Sequence, residues 1–309
     1  MTGQKKREQP GGERRIAGGE SPPLACLVRS LARSLARAKV DSPRLSAELL
    51  LAKSLGMDRQ ALLRKLITTP EAPLSEEERT LLRRLAARRA AGEPAAYLTG
   101  SKEFFGHDFL VTPAVLIPRP ETELLVETAL DRAARRGQGV LADFGTGSGC
   151  IAVSLALELP GWRCLALDRS RQALEVAKKN ALALHCPQIL FLRADFCRPP
   201  LAARSLDLLL GNPPYVSGAE YRNLDREVRD FEPRTALVPA DEASSGLEAV
   251  AAVAEQAETL LRPGGHLLLE IGHSQERAAL ALLRPRLWTG ARVLPDPAGL
   301  PRLLTAERR

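Results

Sequence analysis

Residues 140–149 read VLADFGTGSG, an apolar run, an acid and then three glycines at alternate positions, and a helical apolar pattern starts at Cys150. Glycines let the chain turn sharply and approach a ligand closely, while the helix that follows offers unpaired N–H groups and a positive dipole end. The same rhythm continues on both sides of this unit. Beyond Glu121 a helix is expected at 122–135 and strands at 140–144, 163–168, 189–195 and 206–212, with helices starting at Cys150 and Ser170. A long helix at 246–261 is stopped by Pro263-Gly264-Gly265, the strand HLLLEIG follows, and ARVLPD and PRLLTAE are two further short strands. Alternation of this kind predicts an α/β fold built on a parallel, doubly wound sheet.

The preceding third of the chain has a different period. From Pro22 to Gly92 leucines recur at three- and four-residue steps, which predicts a small helical bundle. Ser42 with Pro43 reads as an N-cap and a first-turn proline, Gly56 as a helix stop, and Ser75 with Glu78 as a capping box. Residues 103–117 (EFFGHDFLVTPAVLI) then suit a β-hairpin turning at Gly106, closed by the stiff Pro118-Arg119-Pro120. The expected organisation is a basic disordered tail at 1–21, a helical domain at 22–92, a hairpin linker at 93–120 and the α/β domain at 121–309.

Composition narrows the classes. Hydrophobic residues at 45% and charged residues at 26% match a globular chain, and no apolar run approaches the roughly 20 residues that span a bilayer. The basic N-terminal stretch lacks the apolar segment of a secretory signal, and Glu8, Glu13 and Glu20 interrupt it as a presequence, so a cytoplasmic location is expected. Five scattered cysteines without a CxxC pair and four unclustered histidines suggest neither a disulfide framework nor a metal site. The net charge of +7 is uneven, with 19 Lys+Arg against 11 Asp+Glu in residues 1–100 and 25 against 26 beyond. Arg83, Arg84, Arg88 and Arg89 could meet RNA or an acidic partner, but a solvated helix face is the preferred reading.

A glycine-rich turn alone is weak evidence, since dinucleotide-binding proteins use a similar device. Here Asp143 precedes Gly145, Thr146, Gly147, Ser148 and Gly149, and an acid there suits the ammonium of an amino-acid group better than a pyrophosphate. Asp168 ends the next strand, where a carboxylate can accept both hydroxyls of a ribose. Asp195 and Phe196 end the one after, where an acid and a ring can hydrogen-bond and stack on adenine, though an ordinary turn acid is an even alternative at Asp195. Three acids at successive strand ends fall on the face where doubly wound sheets bind ligands.

The strand LDLLL runs into Gly211-Asn212-Pro213-Pro214-Tyr215. Isolated, this would be a proline-rich turn. Placed after the fourth strand of a cofactor-binding sheet, it sets a carboxamide and the carbonyls of residues barred from helix and sheet ladders beside the bound ligand. Those oxygens can accept both N–H bonds of a planar NH2 group, and Tyr215 can pack its ring on the substrate plane.

With these residues the chain resembles the PrmC/HemK family, the N5-glutamine methyltransferases of peptide chain release factors. The resemblance covers about residues 22–307 and rests on Glu93-Pro94 with Tyr97-Leu98-Thr99-Gly100, Phe104 in EFFG, Ile117-Pro118-Arg119-Pro120-Glu121-Thr122-Glu123, DFGTGSG, NPPY, and Phe231-Glu232-Pro233 with Ala236-Leu237. It implies a seven-stranded class I (Rossmann-like) methyltransferase domain after a helical domain that docks the release factor and a hairpin linker. It further implies S-adenosylmethionine contacts at Gly145 to Gly149, Asp168 and Phe196, with Asn212, Pro213, Pro214 and Tyr215 holding the substrate amide. Phe144 stands where an aliphatic residue is frequent in the family, and Phe196 where a tryptophan can occur.

An amide nitrogen is a poor nucleophile because its lone pair is delocalised, so positioning rather than a strong base is the chemistry such a site must supply. The competing reading is an amino-group methyltransferase of adenine or guanine, which also uses NPPY. Aromatic content of 4% and the lack of a target-recognition domain disfavour it, and direct nucleic-acid binding is not expected. A non-catalytic cofactor-binding or redox protein is disfavoured by the intact Asn212 and the absence of Cys/His clusters.

Overall fold

The computed structural model describes residues 22–239 and 244–309, so the stretch 1–21 expected to form a basic disordered tail lies outside the described residues. The chain divides into two compact units, 1–90 and 91–309. In the first, α1 (Leu24–Arg37), α2 (Pro43–Ser54), α3 (Arg59–Thr68) and α4 (Glu76–Ala90) carry a core of Leu24, Val28, Leu35, Leu51, Leu62 and Leu74. The capping box is present: Glu78 N–H donates to the Ser75 hydroxyl at 3.2 Å and Ser75 N–H to the Glu78 carboxylate at 2.6 Å. The proposed cap at Ser42 is not. Pro43 opens α2, but Ser42 adopts left-handed backbone (φ 46) instead of the extended backbone usual for an N-cap, and its side chain caps nothing. Nor is the arginine run uniformly solvated. Arg89 is buried and donates to the Ser46 hydroxyl at 3.2 Å.

The second unit opens with α5 (Ala95–Thr99) and the hairpin of β1 (Ser101–Phe104) and β2 (His107–Leu110). Phe105 and Gly106 both have positive φ, the geometry of a two-residue turn that matches strand twist, and pairing stops at Leu110 rather than reaching 117. After a 3-10 turn (Pro120–Thr122) come α6 (Glu123–Ala133), β3 (Gly139–Phe144), α7 (Cys150–Glu158), β4 (Trp162–Asp168), α8 (Arg171–Ala183), β5 (Leu190–Arg193) and β6 (Leu206–Gly211). Three short helices follow, α9 (Gly218–Asn223), α10 (Arg226–Phe231) and α11 (Arg234–Leu237). Then come α12 (Glu248–Leu260), β7 (Leu261–Glu270), α13 (Glu276–Ala281), β8 (Trp288–Pro295) and β9 (Pro301–Arg308).

Seven of these strands form one sheet in the order β5-β4-β3-β6-β7-β9-β8, in which β9 alone runs against the others and pairs antiparallel with both β7 and β8. The expected doubly wound, mostly parallel sheet is therefore present. Its side chains alternate between two cores: Leu141, Leu208, Leu210 and Leu268 meet α6 and α7, while Ala142, Phe144, Leu209 and Leu267 meet α12. Pro263-Gly264-Gly265 does not precede the strand as expected but lies inside β7. Leu206 pairs with Leu261 and Leu208 with His266, so the extra residues are absorbed as a bulge. From β3 the chain steps outward to β4 and β5, then returns to place β6 on the other side of β3. Ligands bind where the order reverses in this way.

Candidate active site

Phe144, the last residue of β3, pairs with Gly211, the last of β6, so the glycine-rich turn and Asn212 leave the sheet side by side. A cavity of about 320 Å³ opens there, within the range of small-molecule sites of about 300–1,000 Å³. Gly145, Thr146, Gly147, Ser148, Asp168, Asp195, Phe196, Asn212 and Pro214 line it. Asp143, Gly149, Pro213 and Tyr215 do not.

The turn is built by main-chain bonds. Gly145 and Thr146 N–H groups both donate to the Leu167 carbonyl at 2.9 Å, and Gly149 N–H to that of Thr146 at 2.8 Å. Gly149 has φ +81, and a Cβ there would stand 3.2 Å from the Ala177 Cα, so α8 admits only glycine. Asn180 of α8 locks the arrangement. Its amide donates to the Ser148 carbonyl at 2.8 Å and to that of Leu110 at 3.0 Å, and its oxygen accepts from Leu110 N–H at 2.7 Å.

Asp143 is fully buried on the same sheet face as Leu141, facing the helices rather than the cavity. One oxygen accepts from the Thr146 hydroxyl at 2.6 Å, and the other finds no partner among the described residues. Burial pushes this carboxyl up to about 7, partly offset by the Thr146 bond. Asp168 differs. Its two oxygens accept from Gly147 N–H at 3.0 Å and Ser170 N–H at 2.8 Å, leaving lone pairs toward the cavity, and burial again raises its pKa. Asp195 and Phe196 lie just past β5, which stops at Arg193. Asp195 is exposed and accepts from Cys197 N–H at 2.9 Å, as a turn acid does.

On the β6 side, Asn212 donates its amide N–H to the Thr122 hydroxyl at 3.2 Å. Thr122 in turn donates to Glu270 at 2.6 Å, and the Tyr215 hydroxyl donates to the other Glu270 oxygen at 2.9 Å. Tyr215 thus packs its ring against the α12-side core and anchors its loop instead of lining the cavity. Glu270 is 2% exposed, and its pKa is raised by burial against the lowering effect of these bonds. Gln275 adds a second anchor, donating to the Tyr215 carbonyl at 2.9 Å. Glu232 reaches across 115 residues to accept from Ile117 N–H at 3.1 Å and pairs with Arg119 at 2.5 Å. Arg119 and Pro118 also line the cavity.

Thr122, Glu232, Glu270 and Gln275 were not among the residues that sequence spacing singled out for the site. One signal was available for Glu270, the only charge in the apolar run of HLLLEIG. Among the described residues no group of His, Cys, Asp and Glu side chains could hold a metal ion, and no helix is long and apolar enough to cross a membrane.

Residues 27–100 match the family model described as the PrmC N-terminal domain, and residues 120–228 match the methyltransferase small domain. A protein of Nitratidesulfovibrio vulgaris named release factor glutamine methyltransferase is 48% identical over 288 residues, covering 92% of this chain and 95% of that one. The chain belongs to the release factor glutamine methyltransferase family. A family member of the same name from Moorella thermoacetica is 44% identical over 279 residues, covering 90% of this chain and 95% of its own. Among solved structures, TrmN from Thermus thermophilus is 26% identical, with a TM-score of 0.42, covering 59% of this chain and 48% of that chain. The family's signature segments converge in space. The 117–123 stretch, the glycine-rich turn, the 212–215 loop and Glu232 are far apart in sequence and meet around one cavity.

Proposed function

We propose that the protein transfers a methyl group from S-adenosylmethionine to the side-chain amide nitrogen of the glutamine in the Gly-Gly-Gln motif of peptide chain release factors. The observation that carries this reading is that Asn212 and Pro214 line the same cavity as the glycine-rich turn, Asp168 and Phe196. The residues fit the cofactor. Asp168 keeps carboxylate lone pairs for two ribose hydroxyls, Phe196 offers a ring to adenine, and residues 145–148 line the part of the cavity that would take the amino-acid end. Bound there, the sulfonium supplies the methyl group and is itself the leaving group.

The chain's own residues supply position. The Asn212 carboxamide oxygen and a main-chain carbonyl of the 212–215 loop accept the two N–H bonds of the incoming amide, which aims its lone pair at the methyl carbon. Positive charge that develops on nitrogen meets these oxygens. Asp143 braces the turn through Thr146 rather than meeting the ligand's ammonium directly. The helical N-terminal unit contributes contacts to the release factor, in keeping with its family match at 27–100. A translation factor as substrate places the reaction in the cytoplasm.

The test is incubation of the enzyme with labelled S-adenosylmethionine and a purified release factor, followed by peptide mapping. Label is expected on the Gly-Gly-Gln glutamine. Label in duplex DNA, or undiminished label in a factor with that glutamine replaced by alanine, would overturn the reading in favour of nucleic-acid or other chemistry.

A further inference from the structure

The Asn212 carboxamide can accept from a substrate only if its oxygen, and not its NH2, faces the cavity, and the two orientations are nearly isosteric. Something must choose between them. A threonine hydroxyl carries a single proton. Thr122 spends that proton on Glu270, at 2.6 Å, so toward Asn212 it presents only lone pairs. Those lone pairs attract the Asn212 NH2, seen at 3.2 Å, and would repel its oxygen. The choice is therefore passed along from Glu270, which as a carboxylate has no proton to give and must be the acceptor. Its other oxygen accepts from the Tyr215 hydroxyl at 2.9 Å, so the same buried carboxylate fixes both the second residue of the chain of bonds and the far end of the 212–215 loop.

We infer that Thr122 and Glu270 are positioning residues for the reaction, a polarity relay that holds the Asn212 carboxamide with its oxygen toward the substrate amide while pinning Tyr215 behind it. This rests on the proposed amide substrate, because an oxygen acceptor is useful only toward an N–H donor. Loss of the Thr122 hydroxyl frees the Asn212 side chain to turn over, so half or more of the enzyme presents NH2 to NH2. Thr122 lines the cavity, but the cofactor rests mainly on Asp168, Phe196 and the 145–148 turn, so its binding and substrate docking survive.

The experiment compares wild type, Thr122→Val, Thr122→Ser, Asn212→Ala and the Thr122→Val/Asn212→Ala double variant. Turnover and KM are measured on a purified release factor with labelled cofactor, and affinity for the demethylated cofactor by calorimetry. Valine is nearly isosteric with threonine. It is expected to lower kcat at least twofold, with KM and cofactor affinity unchanged within error, and serine is expected to restore most of the lost turnover. In the double variant the valine should cost nothing beyond Asn212→Ala, because there is no longer a carboxamide to orient. Thr122→Ala takes the place of valine, with the same expectations, should valine prevent folding. Turnover of the valine variant near that of wild type would overturn the inference, as would a full additional loss on top of Asn212→Ala, the mark of a merely structural role. A wild-type enzyme inert on the release factor would instead sink the substrate reading, and the relay with it.

Discussion

Replacing Glu232 by alanine should loosen one wall of the cavity and destabilise the second unit by about 3 kcal/mol. The carboxylate is 5% exposed and holds two groups of the 117–123 segment, the Ile117 N–H and the Arg119 guanidinium. An abandoned buried N–H costs about 1–3 kcal/mol. Breaking a buried ion pair costs about 3–5 kcal/mol when the remaining charge is stranded, but the Arg119 side chain keeps 31% exposure and recovers hydration, which sets the total at the lower end. Burial holds the Glu232 pKa above its usual range in spite of Arg119, so the loss arises from orphaned partners and not from a strong net attraction. Both tryptophans, Trp162 and Trp288, are buried in the second unit, so their fluorescence reports its unfolding without a signal from the helical unit. With a urea slope of about 2 kcal/mol per molar, the midpoint should fall by about 1.5 M. Because Arg119 and Pro118 line the cavity, calorimetry should show weaker cofactor binding as well. A midpoint within about 0.3 M of wild type, at unchanged slope, would refute the clamp.

Asp168→Ala should weaken binding of S-adenosylmethionine at least tenfold by calorimetry, since it removes a carboxylate that also ties Gly147 and Ser170 together; unchanged affinity would take Asp168 out of the site. The carboxyl of Asp143, raised from 3.8 to about 7, favours the fold fully below about pH 4, and that contribution is lost as pH rises through about 7. It is worth up to about 4 kcal/mol, so the ligand-free urea midpoint should decline more steeply between pH 4.5 and 8 in wild type than in Asp143→Asn, and equal slopes would exclude the residue as the cause. Gly246→Ala places a Cβ 2.2 Å from the Tyr215 carbonyl oxygen at a φ of +85. Left-handed backbone costs a non-glycine residue about 1–2 kcal/mol, and the displaced 212–215 loop should cut turnover more than tenfold while cofactor affinity changes little; wild-type turnover would contradict this.

The sheet and its turn were legible because each rests on local pattern: apolar runs such as LDLLL, glycines at alternate positions, and Pro-Gly punctuation. The helices α9 to α11 were not. They are four to six residues long and polar, held by contacts such as the Tyr221 hydroxyl on the Arg229 carbonyl at 2.8 Å, which no periodicity records. Asp143 was legible as an acid before the turn but not in its direction, which depends on Leu141 and Asp143 sharing the face covered by α6 and α7. Thr122 and Glu270 lie 148 residues apart, and a single sequence holds no sign that their side chains meet. Tyr215 was read as a stacking surface because its ring is visible in the sequence, whereas the buried acceptor that captures its hydroxyl is not.

The tethers of the 212–215 loop have a consequence for how the chain is made. Thr122 leaves the ribosome before the loop, but Gly246, Glu270 and Gln275 leave after it, and β7, which carries Glu270, becomes an interior strand only when β9 at 301–308 pairs along it. A nascent chain grows from its N-terminus, so the turn that follows β3 is complete while the 212–215 loop still lacks its anchors. The order of synthesis thus leaves the 212–215 loop waiting on distant partners, and the carboxylate that anchors Tyr215 is enclosed only after residues 301–308 have paired.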